Sequence, residues 1–270
     1  MPGRPADPKC TLNELRRVPD ADVKVAWVTG AGKGIGRALA KRLAADGWIV
    51  AASARTQADL TSLEAECPSA RVQGFPLDVT DLTRTATTVE AIENQMGPLS
   101  LVILNAGTHI QMPAEEFSVE TFRTLVETNL MGTVNRLAQI IERFIKRKDG
   151  HIVVVASLAG YRGLPTSAAY GATKAGIINM CEALKPELEY HGVRLTLINP
   201  GFVETPLTAK NEFPMPFLIS VEQAVAHIMR GLERGAFEIA FPGRFAWLMK
   251  ILKIFPDRLY FALTRRMIGK

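Results

Sequence analysis

The residues whose spacing most clearly suggests chemistry are a tyrosine and a lysine four positions apart, Tyr170 and Lys174. On a helix, residues with this spacing project from the same face, one turn from each other. A phenol beside an ammonium group is a poised proton donor, because the positive charge favours the phenolate and lowers the tyrosine pKa. We therefore expect a lowered pKa for Tyr170, as acid–base catalysis near neutral pH requires. The alternative is an exposed tyrosine next to a solvated lysine.

Two further stretches bear on this pair. Ser157 follows the apolar run 152–155, so a strand would deliver its hydroxyl to a sheet edge; the alternative is an ordinary turn hydroxyl. Residues 29–36 read Thr-Gly-Ala-Gly-Lys-Gly-Ile-Gly, between an apolar strand at 25–28 and an amphipathic helix from Arg37 onward. Such a turn lets the backbone approach a phosphate, and the helix N-terminus supplies N–H groups for it. Ile35 replaces the third glycine of the usual dinucleotide fingerprint, and a merely flexible turn is the alternative.

With these stretches in view, the chain resembles the short-chain dehydrogenase/reductase family over about residues 24–242. Each motif alone is weak, but six in the family's order make coincidence implausible. The motifs are Thr29 to Gly36, Asn105-Ala106-Gly107, Asn129, Ser157, Tyr170 with Lys174, and Pro200-Gly201 followed by Thr205. The resemblance implies an NAD(P)-dependent oxidoreductase that interconverts a carbonyl and an alcohol by hydride transfer.

The resemblance also implies a role for each catalytic residue. Tyr170 would give a proton to the substrate oxygen, or remove it in the alcohol-oxidising direction. Ser157 would hydrogen-bond that oxygen, and Lys174 would hold the nicotinamide ribose and depress the Tyr170 pKa. By resemblance alone, Asn129 would hold a water that links Lys174 to solvent; otherwise it is a buried helix asparagine satisfied by the backbone.

A larger set of residues is implied to bind the cofactor. Asp78 and Val79 would bound the adenine, although Asp78 could instead cap the next helix, a role that Thr80 or Asp81 could also fill. Asn105 and Gly107 would line the floor of the cofactor site, and Val203 and Thr205 would hold the carboxamide of the nicotinamide. The full set is Thr29, Gly30, Lys33, Gly34, Ile35, Gly36, Arg55, Asp78, Val79, Asn105, Ala106, Gly107, Tyr170, Lys174, Pro200, Gly201, Val203 and Thr205.

The second predicted strand bears on cofactor choice. Sheets that prefer NAD usually end this strand with an acid for the ribose diol. Here residues 51–55 contain no acid and end in Arg55, whose guanidinium suits a 2′-phosphate. Lys33 would add a second positive charge. We therefore expect NADP(H) to be preferred over NAD(H), with ordinary solvated surface as the alternative for both cations.

The whole chain reads as alternating apolar strands and helices, which predicts an α/β fold with one doubly wound, Rossmann-type parallel sheet covered by helices on both faces. The predicted elements include a strand at 72–77, a long helix at about 119–147 and a helix around 168–190. Its 270 residues suit one such domain. We divide the chain into a polar, mobile extension at 1–22, a dinucleotide-binding catalytic domain at 23–243, and a basic, apolar helical tail at 244–270.

Composition indicates the cellular compartment and argues against several classes of function. Three widely spaced cysteines favour a reducing compartment and argue against a disulfide frame and a metal site. No secretory signal is visible, and no segment approaches the roughly 20 apolar residues that span a bilayer. No basic stripe with interleaved aromatics suggests nucleic-acid binding within the sheet domain. We expect a cytoplasmic enzyme.

The tail is the basic part of the chain. It carries seven cations and one acid, a formal charge of +6 against +5 for the whole chain, so the remainder is −1. Pro256 should split it into two short helices. Two alternatives stay open: the tail packs over the substrate pocket or a neighbouring subunit, or it lies peripherally on anionic lipid.

Substrate and assembly are less determined. Segments 108–113, 158–165 and the apolar loop 202–219 should roof the pocket, which favours a small to medium apolar ketone, aldehyde or alcohol; alternatively they pack against the sheet. Apolar residues at 130–141 and 177–184 resemble the faces that pair in homodimers or homotetramers of similar reductases, or they are simply core. A cofactor-binding regulator without turnover is the alternative function, against which the intact Ser157, Tyr170, Lys174 and Asn129 set counts.

Overall fold

A parallel sheet of short apolar strands lies at the centre of the molecule. The computed structural model describes residues 24–67, 71–210 and 213–268, so the extension at 1–22 lies outside the described residues. The strands are β1 Val25–Thr29, β2 Ile49–Ser53, β3 Val72–Gly74, β4 Leu99–Leu104, β5 His151–Val155, β6 Arg194–Pro200 and β7 Glu238–Phe241. Their order in the described sheet is β3-β2-β1-β4-β5-β6-β7, and every neighbouring pair is parallel. The predicted fold class is confirmed.

Helices cover both faces of this sheet. They are α1 Gly34–Ala45, α2 Gln57–Ala65, α3 Leu82–Met96, α4 Val119–Leu125, α5 Gly132–Arg147, α6 Ala168–Tyr190, α7 Val221–Glu233, α8 Gly243–Ile254 and α9 Asp257–Arg265. Because successive side chains of a strand point to opposite faces, Val25 and Trp27 join one apolar cluster while Ala26 and Val28 join the other. Strands with two buried faces need the continuous apolar runs that the sequence contains.

The strand order reverses between β1 and β4, which are neighbours in the sheet although three helices and two strands separate them in the chain. Connections that leave such a pair in opposite directions open a crevice at the carboxyl ends of the strands. The glycine-rich turn follows β1 and the Asn-Ala-Gly motif follows β4, so both motifs meet at this crevice.

Three predicted boundaries need correction. Helix α1 begins at Gly34 and not at Arg37, since the glycine turn itself enters the helix. Strand β3 ends at Gly74 and not at residue 77, although the N–H groups of Phe75 and Leu77 still donate to the carbonyls of Ala52 and Ala54 at 2.8 and 3.0 Å. The predicted long helix at 119–147 is interrupted by a π-helical turn, Val126–Met131.

The tail forms two helices separated at Pro256, as predicted. Residues Phe245, Met249, Leu252 and Tyr260 are buried in the same cluster as the strands, so the tail shares the core of the sheet domain. The domain boundaries at 23 and 243 stay predictions. Among the described residues, no helix is long and apolar enough to cross a membrane.

Candidate active site

The glycine-rich turn is the most tightly packed part of the site. Gly30 has φ +66°, and a Cβ there would lie 2.8 Å from Ala106 Cα. A Cβ on Gly36 would lie 2.3 Å from the Gly30 carbonyl oxygen, and Gly34 has φ +55°. At Gly30 and Gly36 a side chain would force backbone to move, and at Gly34 the positive φ favours glycine. The turn therefore presents bare backbone to the crevice.

The N-terminus of α1 is open at the same place. Its N-cap residue, Lys33, makes no side-chain hydrogen bond to the helix, and the first turn holds no acid. The first N–H groups of a helix have no partner within the helix, and they favour an anion. An uncapped helix end beside bare backbone fits the pyrophosphate of a dinucleotide.

Thr29 joins the ends of β1 and β4. Its hydroxyl donates to the Ile103 carbonyl at 3.3 Å and accepts from the backbone N–H groups of Asn105 and Ala106 at 3.1 and 3.3 Å. The Asn105 amide donates to the carbonyls of Thr29 and Gly30 at 3.1 and 3.3 Å. The floor of the crevice is thus fixed by hydrogen bonds between two strand ends.

Sequence reasoning missed Arg136, which lies beneath this floor. It is fully buried on α5 and donates to the hydroxyls of Thr29 and Thr133 at 3.0 and 3.3 Å. Within the described residues no carboxylate faces it, its Nε has no partner, and burial lowers the pKa of Arg136 to about 9. The available signal was a charge on the inner face of an amphipathic helix, at helical spacing from Asn129, Thr133 and Ile140.

Asn129 lies in the π-helical turn and is buried. Its side-chain oxygen accepts from Thr108 N at 2.8 Å, and its amide donates to Thr108 O at 2.9 Å and to the Thr173 hydroxyl at 3.3 Å. A Cβ on Gly107 would lie 3.1 Å from the Asn129 oxygen and 3.6 Å from Lys174 Nζ. The side chain is satisfied mainly by the backbone, as the alternative expected, and the water link to Lys174 stays a prediction.

Ser157, Tyr170 and Lys174 line one cleft at the carboxyl edge of the sheet. The Ser157 hydroxyl accepts from Ala159 N at 3.1 Å and donates weakly to the Pro200 carbonyl at 3.4 Å. Lys174 Nζ donates to the Val155 carbonyl at 3.0 Å and lies 5.7 Å from the centroid of the Tyr170 ring. The predicted helix at 168–190 is confirmed in both bounds, so the expected one-turn spacing holds.

The expected direction of the Tyr170 pKa is wrong for this structure. Burial raises the pKa of Tyr170, and the Ser157 hydroxyl acts in the opposite direction. Burial, followed by the positive charge of Arg136, lowers the pKa of Lys174 to about 8. Desolvation is the largest cause of both shifts, because both groups are buried.

A second residue that the motifs did not indicate stands against Tyr170. The His109 ring meets the Tyr170 ring edge-on, with centroids 4.7 Å apart and planes at 85°. Burial lowers the pKa of His109, which favours its neutral form. Its position in the segment after the Asn-Ala-Gly motif was the only signal, since residues 108–113 were expected to roof the pocket.

The adenosine end is more exposed. Asp81 caps α3 by accepting from Arg84 N at 2.8 Å, so Asp78 is not the helix cap. Asp78 accepts from the backbone and hydroxyl of Thr80, which, with Arg55 nearby, hold the pKa of Asp78 below its usual value. Within the described residues Arg55 is exposed and makes no hydrogen bond or salt bridge, while Lys33 pairs loosely with Asp59 at 3.7 Å.

The opposite wall is formed by the segment after β6. The Thr208 hydroxyl bonds the Val203 carbonyl at 2.6 Å and meets the Thr205 hydroxyl at 3.2 Å. With these, Ile35, Asn105, Gly107, Pro200 and Gly201 also line the cleft, whose cavity volume is about 120 Å³.

The apolar loop above this wall packs on the tail. Phe245 of α8 stacks on Phe202 and on Phe217, with centroid distances of 5.7 and 5.8 Å. Phe202 also meets Phe213 at 5.9 Å. Phe217 is a non-glycine residue with φ +60° and remains 47% exposed. The loop therefore forms an aromatic cover that includes part of α8.

Comparisons with known proteins agree with this geometry. The family profile for short chain dehydrogenase matches residues 24–214. An uncharacterized oxidoreductase of Myxococcus xanthus is 39% identical over 246 residues, covering 90% of this chain and 97% of that protein. An uncharacterized oxidoreductase of Mycobacterium tuberculosis is 30% identical over 245 residues, covering 88% and 95%.

Solved structures show the same architecture. A variant of actinorhodin polyketide ketoreductase with NADPH has a TM-score of 0.76 and 27% identity, covering 83% of this chain and 98% of that one. A short-chain dehydrogenase from Streptomyces avermitilis has a TM-score of 0.79 and 26% identity, covering 91% and 96%.

A doubly wound sheet with a glycine turn and a Ser-Tyr-Lys cleft defines a class of oxidoreductases that use a nicotinamide cofactor. This chain belongs to the short-chain dehydrogenase family and is an oxidoreductase of that family. Among the described residues, no group of His, Cys, Asp or Glu side chains could hold a metal ion.

Proposed function

We propose that the protein is an NADP(H)-dependent reductase or dehydrogenase that interconverts a carbonyl and an alcohol on a small to medium apolar substrate. The observation that carries the proposal is one continuous cleft. Ile35 of the glycine turn and Asn105 line it together with Ser157, Tyr170 and Lys174.

Each side chain has a defined task. A bound nicotinamide supplies or accepts the hydride. Tyr170 Oη gives the proton to the substrate oxygen, or takes it in the reverse direction, and the Ser157 hydroxyl donates a hydrogen bond to that same oxygen. Lys174 turns from the Val155 carbonyl toward the cofactor ribose, where its positive charge opposes the rise in the Tyr170 pKa that burial causes.

The preference for NADP(H) rests on Arg55. Asp59 neutralises part of the charge on Lys33, whereas Arg55 is exposed at the end of β2 with no acid competing on that strand. A planar guanidinium can grip a 2′-phosphate with two hydrogen bonds. The ketoreductase neighbour was solved with NADPH, which supports the same choice.

The apolar character of the substrate rests on the aromatic cover. Phe202 and Phe217 contact Phe245 beside Gly201, which lines the cleft, and Leu207 and Val203 of the same loop add apolar lining. A ketone, an aldehyde or a secondary alcohol with an apolar body fits such a surface.

The test is a panel of carbonyls and alcohols with NADPH, NADH and their oxidised forms, followed by the absorbance of the reduced nicotinamide. Tyr170→Phe should lower kcat by about 10²–10⁴-fold while NADPH fluorescence titrations change little, because only the proton donor is lost. Near-wild-type turnover in this variant contradicts the proton-donor role. Binding of NADPH without turnover of any substrate by the wild type would favour a regulator instead.

We further propose that the enzyme is a cytoplasmic homodimer or homotetramer paired through α5 and α6. Val134, Ile141, Met180 and Leu184 are only partly buried on these helices, while Ile140 and Ile177 belong to the core. Cys67 and Cys181 are buried free thiols, which supports a reducing compartment. Light scattering that gives a monomer mass at micromolar concentration contradicts the assembly.

A further inference from the structure

The tail, residues 244–268, is anchored to the domain by its inner side. The Arg162 guanidinium donates to the carbonyls of Leu252 and Phe255 at 2.7 and 2.6 Å and pairs with Asp257 at 2.6 Å. It also lies 3.9 Å from the centroid of the Tyr260 ring. These contacts satisfy the last carbonyls of α8 and fix the angle at which α9 continues. The tail is therefore held in one orientation, with one side against the domain and the other side facing outward.

The outer side of α8 is apolar. Trp247, Ile251 and Ile254 follow one another at helical spacing, opposite to the buried Phe245, Met249 and Leu252. Trp247 is 67% exposed and Ile254 is 80% exposed. Leu259, Phe261, Leu263, Met267 and Ile268 of the following segment are exposed as well. Several large exposed apolar side chains on one segment indicate an interaction surface.

The same surface carries a net positive charge that is only partly compensated. Lys250 pairs with Glu238, and Asp257, the tail's one acid, pairs with Arg162. Within the described residues no carboxylate pairs with Arg244, Arg258, Arg265 or Arg266. The tail thus carries four exposed guanidinium groups without a carboxylate partner in the same segment as the exposed tryptophan, isoleucine and leucine side chains.

Charge distinguishes the occupants that could cover this surface. A two-fold contact between copies would set tail against tail, which brings like charges together and costs energy. A nucleic acid would match the charge but leave the aliphatic side chains exposed. An anionic lipid surface matches both, because apolar residues enter the acyl boundary while Arg and Lys meet the headgroups.

We propose that the outer side of the tail docks reversibly on anionic membrane lipid. Phe245, on the inner side of α8, stacks on Phe202 and Phe217 of the aromatic cover. Docking therefore brings the covered end of the cleft next to the bilayer. Resting on the proposed function, this placement assigns the enzyme an apolar carbonyl or alcohol that partitions into lipid.

Vesicle co-sedimentation tests the charge requirement with the full chain. The wild type should pellet with phosphatidylglycerol vesicles at low salt, stay soluble with phosphatidylcholine vesicles, and be released as salt rises. Removing three tail charges (Arg258→Gln, Arg265→Gln and Arg266→Gln) should weaken partitioning by about a hundredfold. The matched control removes three exposed charges elsewhere, Arg84→Gln, Arg123→Gln and Lys146→Gln, and should bind like the wild type.

A second pair of variants tests the apolar requirement. Trp247→Ser with Ile254→Ser should weaken partitioning by at least about tenfold. The control, Leu82→Ser with Phe117→Ser, removes two side chains that are 52% and 60% exposed outside the tail and should have little effect. Neither change touches the core, so thermal midpoints should stay close to that of the wild type.

The docking proposal fails if the wild type stays in the supernatant with phosphatidylglycerol, or if tail and control variants partition alike. It also fails if Trp247→Ser with Ile254→Ser lowers the mass in light scattering without changing vesicle binding, since a second copy then covers the surface. Sedimentation needs no turnover. Loss of docking with an active enzyme rejects this inference alone, and docking without activity rejects the proposed function alone.

Discussion

The floor and the cover of the cleft are built in opposite ways. The floor, from the glycine turn to Asn105, is backbone held by hydrogen bonds, with hypothetical Cβ atoms meeting neighbours at 2.3–2.9 Å. The cover, residues 202–219 with Phe245, consists of side chains held by ring contacts near 6 Å. Backbone packed this closely accepts almost no change, whereas stacked rings can be exchanged. The end of the cleft at the glycine turn is therefore rigid, and the end at the aromatic cover is adaptable.

The largest effect should come from a charge reversal at the floor's far end. Arg55→Asp removes the proposed phosphate contact and places a second carboxylate near Asp78, so NADPH should lose about 2–4 kcal/mol relative to NADH. The measurement is kcat/KM for both cofactors. Arg84→Asp, an exposed charge reversal on α3, should leave the ratio unchanged. A ratio that Arg55→Asp does not move contradicts the NADP(H) assignment.

The rigidity of the floor predicts the next effect. Gly36→Ala puts a Cβ 2.3 Å from the Gly30 carbonyl oxygen, so the turn must shift, at a cost of about 1–3 kcal/mol in stability or NADPH affinity. Gly243→Ala, at the start of α8, meets nothing within 4 Å and is the matched control. NADPH fluorescence titration and thermal unfolding measure both. If the two variants have the same NADPH affinity and the same unfolding temperature, the claim that the floor is rigid is contradicted.

The adaptability of the cover predicts a smaller, separable effect. Phe217→Gly removes a ring and relieves a left-handed backbone, whereas Phe217→Ala removes the ring alone. Both variants lose the stacking of Phe217 on Phe245, which contributes roughly 1 kcal/mol. Both should therefore raise KM for an apolar substrate by a few-fold and leave NADPH affinity unchanged. The glycine variant should unfold at the higher temperature. Weakened NADPH binding in either variant would show that the cover also belongs to the cofactor site.

The smallest effect concerns the pH profile. Arg136→Met removes the cation that, after burial, lowers the Lys174 pKa, so that pKa should rise above about 8. Protonated Lys174 then persists to higher pH, and the alkaline limb of kcat/KM moves upward. Arg143→Met on the same helix faces Glu90 and Glu93 and should leave the limb in place. An unmoved limb in Arg136→Met contradicts the coupling.

Much of the fold was accessible from the sequence because its signals are local. Continuous apolar runs predicted the buried parallel strands, and the pattern at 168–190 predicted α6 with its bounds. Since parallel strands end at one edge, motifs far apart in the chain were expected to meet there, and the cleft brings Ser157, Tyr170 and Lys174 together. The catalytic and cofactor roles of these residues stay predictions.

The rest depends on contacts that no local pattern contains. Arg136 meets Thr29 across 107 positions of sequence, and Arg162 meets Asp257 across 95. The raised pKa of Tyr170 follows from its burial, which the Tyr-x-x-x-Lys spacing does not encode. Whether the tail packs or faces outward was undecidable from composition, since the structure places one side of α8 in the core and the other in solvent.

The π-helical turn at Val126–Met131 makes the number of residues matter as well as their kinds. Each residue of an α-helix advances the direction of its side chain by about 100°. Deleting one residue here would let α4 run unbroken into α5, and Asn129 and Arg136 could no longer face Thr108 and Thr29 together. Over evolutionary time this segment should therefore admit many substitutions but resist single-residue insertions and deletions.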